Sequence, residues 1–301
     1  VSSGDKSSGG GAIGASLGVG SGGAGLSIFA NGNKGKGSEN GDGLTHNETT
    51  LDAGNKITLL SGRDTTLTGA QVSADRIVAD VGRDLTITSE QDSNNYKSKD
   101  QNISGGLSFT FGTMTASGSL SITNNKLTSN YESVQEQSGI FAGDGGYDVT
   151  VGNHTQLNGA VIGSTADAAK NRLDTGTLGF SDIQNQADYS ASGVSLGMSS
   201  SFSTKDKTDE SLPADQQPVK RTVTEQLGDN LAPNSMSASR SSGSGESTTY
   251  SAVSDGTLIV RNPEAQQQDV ATLSRDVEHA NQTLSPIFDK AKEQKLSLIH
   301  I

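Results

Sequence analysis

GRDTTLTGAQVSADRIVADVGRDLTIT, residues 62–88, contains one tripeptide twice, because Gly62-Arg63-Asp64 returns as Gly82-Arg83-Asp84. Each copy opens a short run in which apolar and polar residues alternate, and a third such run lies between them at residues 77–81. The period of 20 residues therefore holds about three short strands separated by corner residues. This arrangement predicts one coil of a β-solenoid.

Alternation in the same stretch divides its side chains between an interior and water. We expect five of them to stack inward, namely Leu67, Ile77, Val81, Leu85 and Ile87. The Arg-Asp pairs recur at the coil spacing, so we interpret them as stacked corner residues that face water rather than as a binding site. Exposed pairs of this kind contribute roughly 0–1 kcal/mol each.

A larger repeat appears 90 residues later, where GNHTQLNGAVI at residues 152–162 aligns with GRDTTLTGAQV at residues 62–72. Gly- and Ser-rich islands with alternating apolar residues interrupt the coils at residues 15–30, 107–122 and 190–202. Each island reads as a weak β-hairpin. The sequence thus predicts a unit made of one hairpin and a few coils.

The second island is the candidate functional site. Leu107, Phe109 and Phe111 share one face of a strand with small polar residues on the other, and Leu120 and Ile122 follow after a turn. A lipid-facing strand shows this alternation, although a spanning strand needs about 9–11 residues. The alternative is that the hairpins pack along the solenoid as extra strands. The packed arrangement is favoured for the isolated chain, and membrane insertion is expected to follow contact.

Composition excludes several classes of function. The 301 residues include 38 Gly, no Cys and no Trp, and only 31% are hydrophobic, which is typical of a thin repetitive core. A net charge of −12 without a basic cluster along the chain argues against nucleic acid as a partner. No two of the four histidines have the spacing of a zinc site. The Gly-x-Gly-x-x-Gly matches at residues 9–14 and 18–23 do not join a strand to a helix, as a dinucleotide-binding site requires. The carboxylates lie mainly at corners and are not gathered as a polysaccharide-cleaving site requires. We therefore expect neither an enzyme nor a cofactor.

The C-terminal part changes period. Asn262-Pro263 resembles a helix start, and apolar residues follow at spacings of three and four: Val270, Leu273, Val277, Ala280 and Leu284. This predicts a short α-helical segment.

The predicted organisation has six parts. They are a Gly/Ser-rich segment with a hairpin (1–43), coils with inserted hairpins (44–203), a Ser/Pro-containing linker or long loop (204–250), a final coil strand (251–261), a helical segment (262–295), and six residues (296–301) that match a translated sequencing-adapter end and are excluded from the fold. The N-terminus lacks the features of a signal peptide, so we expect an internal piece of a longer chain.

Three long phrases carry a resemblance to a known family. FAGDGGYDVTVGNHTQLNGAVI (141–162) and KNRLDTGTLGFSDI (170–183), together with residues 62–88, resemble the haemagglutinin-repeat region of two-partner-secreted filamentous proteins. The third phrase, QQQDVATLSRDVEHANQTLSPIFDKAKEQK (266–295), resembles the start of the pretoxin segment that follows this region, so the resemblance identifies the helical segment 262–295 as the start of the pretoxin segment. The resemblance covers roughly residues 45–295. It is greatest to contact-dependent growth inhibition effectors, in the repeat block before the pretoxin segment.

This resemblance implies an all-β, right-handed parallel β-helix with projecting hairpins, secreted to the cell surface by a partner outer-membrane transporter. It further implies that the block associates with a neighbouring cell's outer membrane and helps deliver a C-terminal toxin across it. The toxin domain and its immunity protein would lie outside residues 1–301. The alternative function is a filamentous adhesin that binds host or bacterial surfaces.

Overall fold

The computed structural model describes residues 1–20, 23–112, 114–203 and 233–285. These residues form two β-sheets and no α-helix. In chain order the strands are β1 (Ser2–Gly20), β2 (Gly23–Leu44), β3 (Thr49–Ser61), β4 (Thr65–Thr68), β5 (Ala70–Val81), β6 (Leu85–Thr88), β7 (Asp92–Thr110), β8 (Thr115–Ser133), β9 (Gly139–Asn158), β10 (Val161–Ser164), β11 (Arg172–Ser181), β12 (Ile183–Ser203), β13 (Pro233–Thr249), β14 (Ala252–Val253) and β15 (Thr257–Val260).

Nine of these strands form a parallel sheet, here called the parallel stack: β3 to β6, β9 to β11, β14 and β15. Ile57 pairs with Ile77 and Leu67 pairs with Ile87, so neighbouring strands are offset by the 20 residues of the sequence repeat. The next layer adds Tyr147 beside Ile77 after an insertion. Like residues therefore stack on like residues from one layer to the next, as the 20-residue period predicts.

The core of the parallel stack is a column of apolar side chains. Ile77 and Ile87 have no exposed surface, Val81 and Leu85 are 1% exposed, and half-buried Leu67 packs against them. The inward positions predicted from the sequence are thus confirmed. The predicted Arg-Asp ladder is also present at the surface, where Arg83 Nε donates to Asp64 Oδ1 over 3.0 Å.

Glycine at one corner lets the layers approach closely. A Cβ atom on Gly82 would lie 2.3 Å from the carbonyl oxygen of Gly62, and one on Gly152 would lie 2.0 Å from that of Gly82. Real Cβ atoms do not approach backbone oxygens so closely. The glycines that begin the later copies, Gly82 and Gly152, are therefore required by the contact with the preceding layer, whereas a Cβ atom on Gly62 in the first layer would meet nothing within 4 Å.

The other six strands form an antiparallel sheet in the order β1-β2-β7-β8-β12-β13. Its three hairpins contain the three Gly- and Ser-rich islands, so segments about 90 residues apart in sequence become neighbours. The first hairpin pairs Leu17 with Leu26, and β2 then pairs Ile28 with Phe109 of the second hairpin. All of β13 lies in the segment predicted as a linker or long loop (204–250), so the described part of that segment is mainly a strand. Residues 204–232 of that segment lie outside the described residues.

Both sheets meet at a single corner, which the layers of the parallel stack share. Gly69 and Gly159 turn the chain into the next layer there with φ of 54° and 57°, a conformation that favours glycine. At the intervening layers the chain instead leaves this corner and returns to it: the insertion from β6 to β9 carries β7 and β8, and the insertion from β11 to β14 carries β12 and β13. The offset of 90 residues therefore contains one coil without an insertion and one coil with it.

Residues 262–285 correct one prediction, because the expected α-helix is not seen there. Only Val270–Thr272 form a 3₁₀ turn. The predicted positions Leu273 and Ala280 are 4% and 1% exposed, since they cover the last layer of the parallel stack rather than line a helix. Val253 N donates to Ser274 O over 3.0 Å, so the backbone bonds to the sheet instead of to itself. The remainder of the predicted helical segment, residues 286–295, and the six excluded residues lie outside the described residues.

Two glutamines show how this segment is held against the parallel stack. The Gln266 side chain accepts from Leu178 N over 2.8 Å and donates to Leu178 O over 2.6 Å. The Gln268 side chain makes the same pair of bonds to Phe180, at 2.8 and 2.9 Å. These amides satisfy backbone groups at the end of β11 as a neighbouring strand would, which covers part of an otherwise open edge.

Candidate functional site

The predicted site residues come together on one face of the antiparallel sheet. Phe109 and Phe111 lie on β7 and at its end, with ring centroids 4.8 Å apart at an angle of 79°. On β8, Leu120 stands opposite Gly105 and Ile122 opposite Ile103, so their side chains share the face of the phenylalanines. Leu107 is 71% exposed, Phe111 46%, Leu120 39% and Ile122 38%.

The sequence prediction was confined to one hairpin and missed the rest of this face. Because directly paired residues in an antiparallel sheet point to the same side, the register extends the face across the neighbouring hairpins. It gains Ile13, Leu17, Leu26 and Ile28 on β1 and β2, Ile103 on β7, Val194, Leu196 and Met198 on β12, and Met236 on β13. We call this set, with the five predicted residues, the apolar face. The alternation in all three islands was the signal that could have found it.

The opposite side of the sheet is polar and bonded within itself. Ser27 Oγ lies 2.8 Å from Thr110 Oγ1, and Ser108 Oγ lies 2.5 Å from Ser117 Oγ. A groove of about 610 Å³, lined mainly by Ser and Gly of β7, β8 and β12, crosses this side. Phe29 is an exception, and its ring covers Gly14, where a Cβ atom would lie 2.4 Å away. The sheet is therefore amphipathic over all six strands.

The hairpins are held at the corner of the coils by buried polar groups. Asn185, 1% exposed, accepts from Val134 N over 2.9 Å and donates to Thr249 Oγ1 over 2.9 Å, so one side chain links three strand ends. Ser89 Oγ donates to Gly159 O over 2.6 Å and accepts from Ser138 N over 2.8 Å. Buried polar groups with all partners in place fix one geometry, which orients the antiparallel sheet on the parallel stack.

A cluster of carboxylates borders the same junction. His46 Nδ1 lies 3.3 Å from Asp92, and its Nε2 lies 3.8 Å from Glu90. Burial raises the pKa of the nearby Glu48, and the charges of Glu136 and Glu90 act in the same direction. His46 thus contacts two carboxyl groups, and Glu48 beside them is partly buried, an arrangement that needs no substrate to explain it.

Carboxylates on neighbouring layers of the parallel stack are matched by arginines. Arg172 Nη1 lies 3.2 Å from Asp148 Oδ1, its Nη2 pairs with Asp174, and Arg261 Nε lies 3.1 Å from Asp174 Oδ1. Each of these carboxylates therefore has an arginine partner, on its own strand or on a neighbouring layer. The geometry is that of an ion ladder along the stack.

The glycine motif noted at residues 9–14 lies in a β-strand. Gly9, Gly11 and Gly14 lie within β1, in extended backbone rather than at the start of a helix. Within the described part of the chain, no group of three or more His, Asp or Glu side chains has an arrangement that could hold a metal ion. No described helix is long and apolar enough to cross a membrane.

Comparison with known proteins finds one matching family model and several similar proteins. Residues 1–103 match the haemagglutinin repeat. The chain is 56% identical over 292 residues to the deoxyribonuclease CdiA of Dickeya dadantii (strain 3937) and 54% identical over 294 residues to the toxin CdiA of Escherichia coli; each alignment covers 97% of this chain but only 8% and 9% of those proteins. It is also 50% identical over 291 residues to the deoxyribonuclease CdiA of Yersinia pseudotuberculosis serotype O:3 (strain YPIII), of which it spans 25%. No solved structure matches.

Proposed function

Since the chain is a haemagglutinin-repeat segment with extensive similarity to CdiA proteins, we propose that it is a non-enzymatic part of a large secreted, cell-surface effector that helps deliver a C-terminal toxin across a neighbouring cell's outer membrane. The parallel stack is the scaffold, wound as a right-handed β-helix. The antiparallel sheet is the part that enters the membrane. The nuclease activities in the relatives' names belong to those whole proteins, and this segment's similarity lies in the repeat.

The apolar face is the observation that supports this proposal. Large side chains stand exposed across six strands, including Ile13 at 85% and Leu17 at 73%. Burying each such side chain would contribute roughly 1.5–3 kcal/mol. A contiguous exposed apolar face marks a surface that meets another apolar phase.

Dimensions of the face also fit a bilayer. From Ile103 to Phe111, the residue that follows β7, the apolar side covers nine residues, about the length that a membrane-crossing β-strand needs. The opposite, Ser-rich side supplies small polar groups that bond within the sheet or to water. Backbone groups at the two edge strands, β1 and β13, must find partners before the sheet enters hydrocarbon, and assembly on contact with a membrane would provide them.

Further parts of the proposal concern partners. We propose export through a partner outer-membrane transporter, and a toxin domain with a cognate immunity protein elsewhere in the system. A filamentous adhesin is the alternative function. The two differ at the apolar face, because adhesion to a wet surface gives a row of exposed Leu, Ile and Phe no role.

The test is flotation of the purified chain with neutral phosphatidylcholine vesicles. Replacing two apolar-face residues, Phe109→Asp with Phe111→Asp, should reduce vesicle binding roughly 100-fold or more, because two aromatic side chains lose their burial in lipid. The matched control is Ser117→Asp with Ser119→Asp, which adds the same charge to the polar side of β8 and should leave binding unchanged. Wild-type binding by the phenylalanine variant would overturn the proposal.

A cellular measurement separates delivery from adhesion. An effector carrying this segment with the two phenylalanine substitutions should still bind neighbouring cells but lose growth inhibition. If cell binding is lost in parallel with inhibition, the adhesin is the better account.

A further inference from the structure

Cationic residues lie on the same side of the antiparallel sheet as the apolar face, although the sequence shows no cluster of them. The six strands contain seven Lys and Arg residues, and six of the seven point to that side: Lys34 and Lys36 on β2, Lys97 and Lys99 on β7, Lys126 on β8 and Arg240 on β13. We call these six the basic belt. Lys6 on β1 is the one that points to the polar side.

The register places the basic belt directly below the apolar face. Lys34 pairs with Ile103, which pairs with Ile122. The next row contains Lys36 and Val194, so the first two cations share rows with the last apolar residues. One row nearer still to the parallel stack, Lys99 stands opposite Lys126. The same row continues through Ser192 to Arg240. Cations from three hairpins are thereby brought into one band.

These side chains are exposed and available to an external partner. All six are exposed, and no ion pair joins any of them to a carboxylate among the described residues. Asp5 is the one acidic residue in the row of Lys99, and the other acidic residues on this side, such as Asp42 and Glu132, lie nearer the parallel stack. Along the strands, from the hairpin turns towards the parallel stack, this side of the sheet thus presents an apolar region, a basic region and an acidic region.

We propose that the basic belt binds the anionic phosphate headgroups of a lipid bilayer while the apolar face lies in the hydrocarbon. This inference rests on the proposed membrane function and names the headgroup chemistry that the same surface recognises. Long Lys and Arg side chains extend from an apolar surface to place their charges at headgroup level. Each basic residue close to an anionic membrane contributes about 1 kcal/mol.

The order of the two regions favours lipid over other anionic partners. Nucleic acid would satisfy the cations but offer no hydrocarbon to the adjacent Leu, Ile and Phe side chains. A bilayer presents both phases, and its headgroup layer directly follows its hydrocarbon core. The belt would also stop the sheet at a defined depth, because the acidic region beyond it is repelled by an anionic surface.

The test compares flotation with vesicles of phosphatidylcholine alone and vesicles of phosphatidylcholine mixed with phosphatidylglycerol. The wild-type chain should prefer the anionic vesicles, and added salt should reduce that preference. A four-site variant, Lys34→Gln, Lys36→Gln, Lys97→Gln and Lys99→Gln, should lose roughly 100-fold or more of its affinity for anionic vesicles, since each cation accounts for about five-fold. Its binding to neutral vesicles should not change.

The matched control removes four exposed cations elsewhere, in Lys6→Gln, Lys56→Gln, Arg63→Gln and Lys170→Gln. It should retain the preference for anionic vesicles, which separates a local belt from a change in net charge. Far-ultraviolet circular dichroism checks that both variants fold, and Lys99→Gln with Lys126→Gln is the milder variant if the four-site one does not. Equal binding of the wild-type chain to both vesicles, or equal losses in the belt and control variants, would overturn this inference while leaving membrane binding intact. Absence of binding to either vesicle would instead count against the proposed function.

Discussion

The same alternation of apolar and polar residues has opposite outcomes in the two sheets of this chain. In the parallel stack the apolar positions of successive layers pack into one column, so Ile77 and Leu157 have no exposed surface. In the antiparallel sheet the strands lie side by side, and Leu107 on the corresponding kind of position is 71% exposed. A period of two therefore predicts a strand with two unlike faces, whereas the topology decides whether the apolar face becomes a core or a surface.

This difference assigns a separate role to each sheet. Burial of the apolar column in the stack stabilises the fold. Exposure in the antiparallel sheet leaves the free energy of burying the apolar face to be gained only when the sheet meets another apolar phase. The stack is expected to determine stability and the antiparallel sheet to determine binding.

Truncating one leucine in each sheet tests that division most strongly. Leu157→Ala should lower the free energy of unfolding by about 2–5 kcal/mol, because it leaves a cavity in a fully buried column. Leu107→Ala, which changes the same side chain on the apolar face, should stay within about 0.5 kcal/mol of the wild-type chain. Urea unfolding followed by circular dichroism measures both, and comparable losses would show that the antiparallel sheet is also part of the stabilising core.

Glycines of the repeated tripeptide give a second, smaller contrast within the stack. Gly152→Ala should destabilise by roughly 1–3 kcal/mol, because its Cβ atom would overlap the carbonyl oxygen of Gly82. Gly62→Ala occupies the same repeat position in the first layer, where a Cβ atom meets nothing within 4 Å. It should change the unfolding midpoint little, and equal effects of the two substitutions would contradict the close approach between layers.

The sequence predicts those features of the structure whose pattern lies within a short stretch of the chain. The 20-residue repeat is local, and it identified both the stacking of Ile77 on its neighbours and the exposed position of Arg83. Islands such as residues 107–122 were also found locally, because each hairpin carries its own alternation. Their assembly into one six-stranded sheet was missed, since pairing between residues about 80 apart, such as Ile28 with Phe109, leaves no periodic trace.

The basic belt and the C-terminal segment show two further limits. Lys34, Lys99 and Arg240 are far apart in sequence and become a band only through strand register, so a search for clustered cations along the chain could not find them. Spacing in residues 262–285 indicated a helix, yet the open end of the parallel stack provides partners for that backbone and places for Leu273 and Ala280. Tertiary contacts there override a local period.

Titration of one carboxyl at the junction provides the smallest and most specific test of how the two sheets are joined. Burial raises the pKa of Glu48, which lies between β2 and β3, above its usual value of 4.5. A raised pKa means that the folded chain holds the proton more tightly than the unfolded chain, so stability should increase as the pH falls from neutral through the raised value towards 4.5. The surface carboxyl of Asp64 has the opposite sign, because the hydrogen bond from Arg83 lowers its pKa and its stabilising effect is lost on acidification.

Glu48→Gln keeps the shape of the side chain and removes this titration. At neutral pH the variant should be more stable than the wild-type chain by less than about 1 kcal/mol, because the carboxyl is only partly buried and water screens its neighbours. The advantage should shrink as the pH approaches 4.5, the usual value for Glu48. Unfolding midpoints measured across that range decide the matter, with Asp64→Asn as the control that should show the reverse trend. The difference in stability between Glu48→Gln and the wild-type chain could instead stay constant with pH. That result would mean that the Glu48 carboxyl is exposed to water in the folded chain and is not buried at the junction of the two sheets.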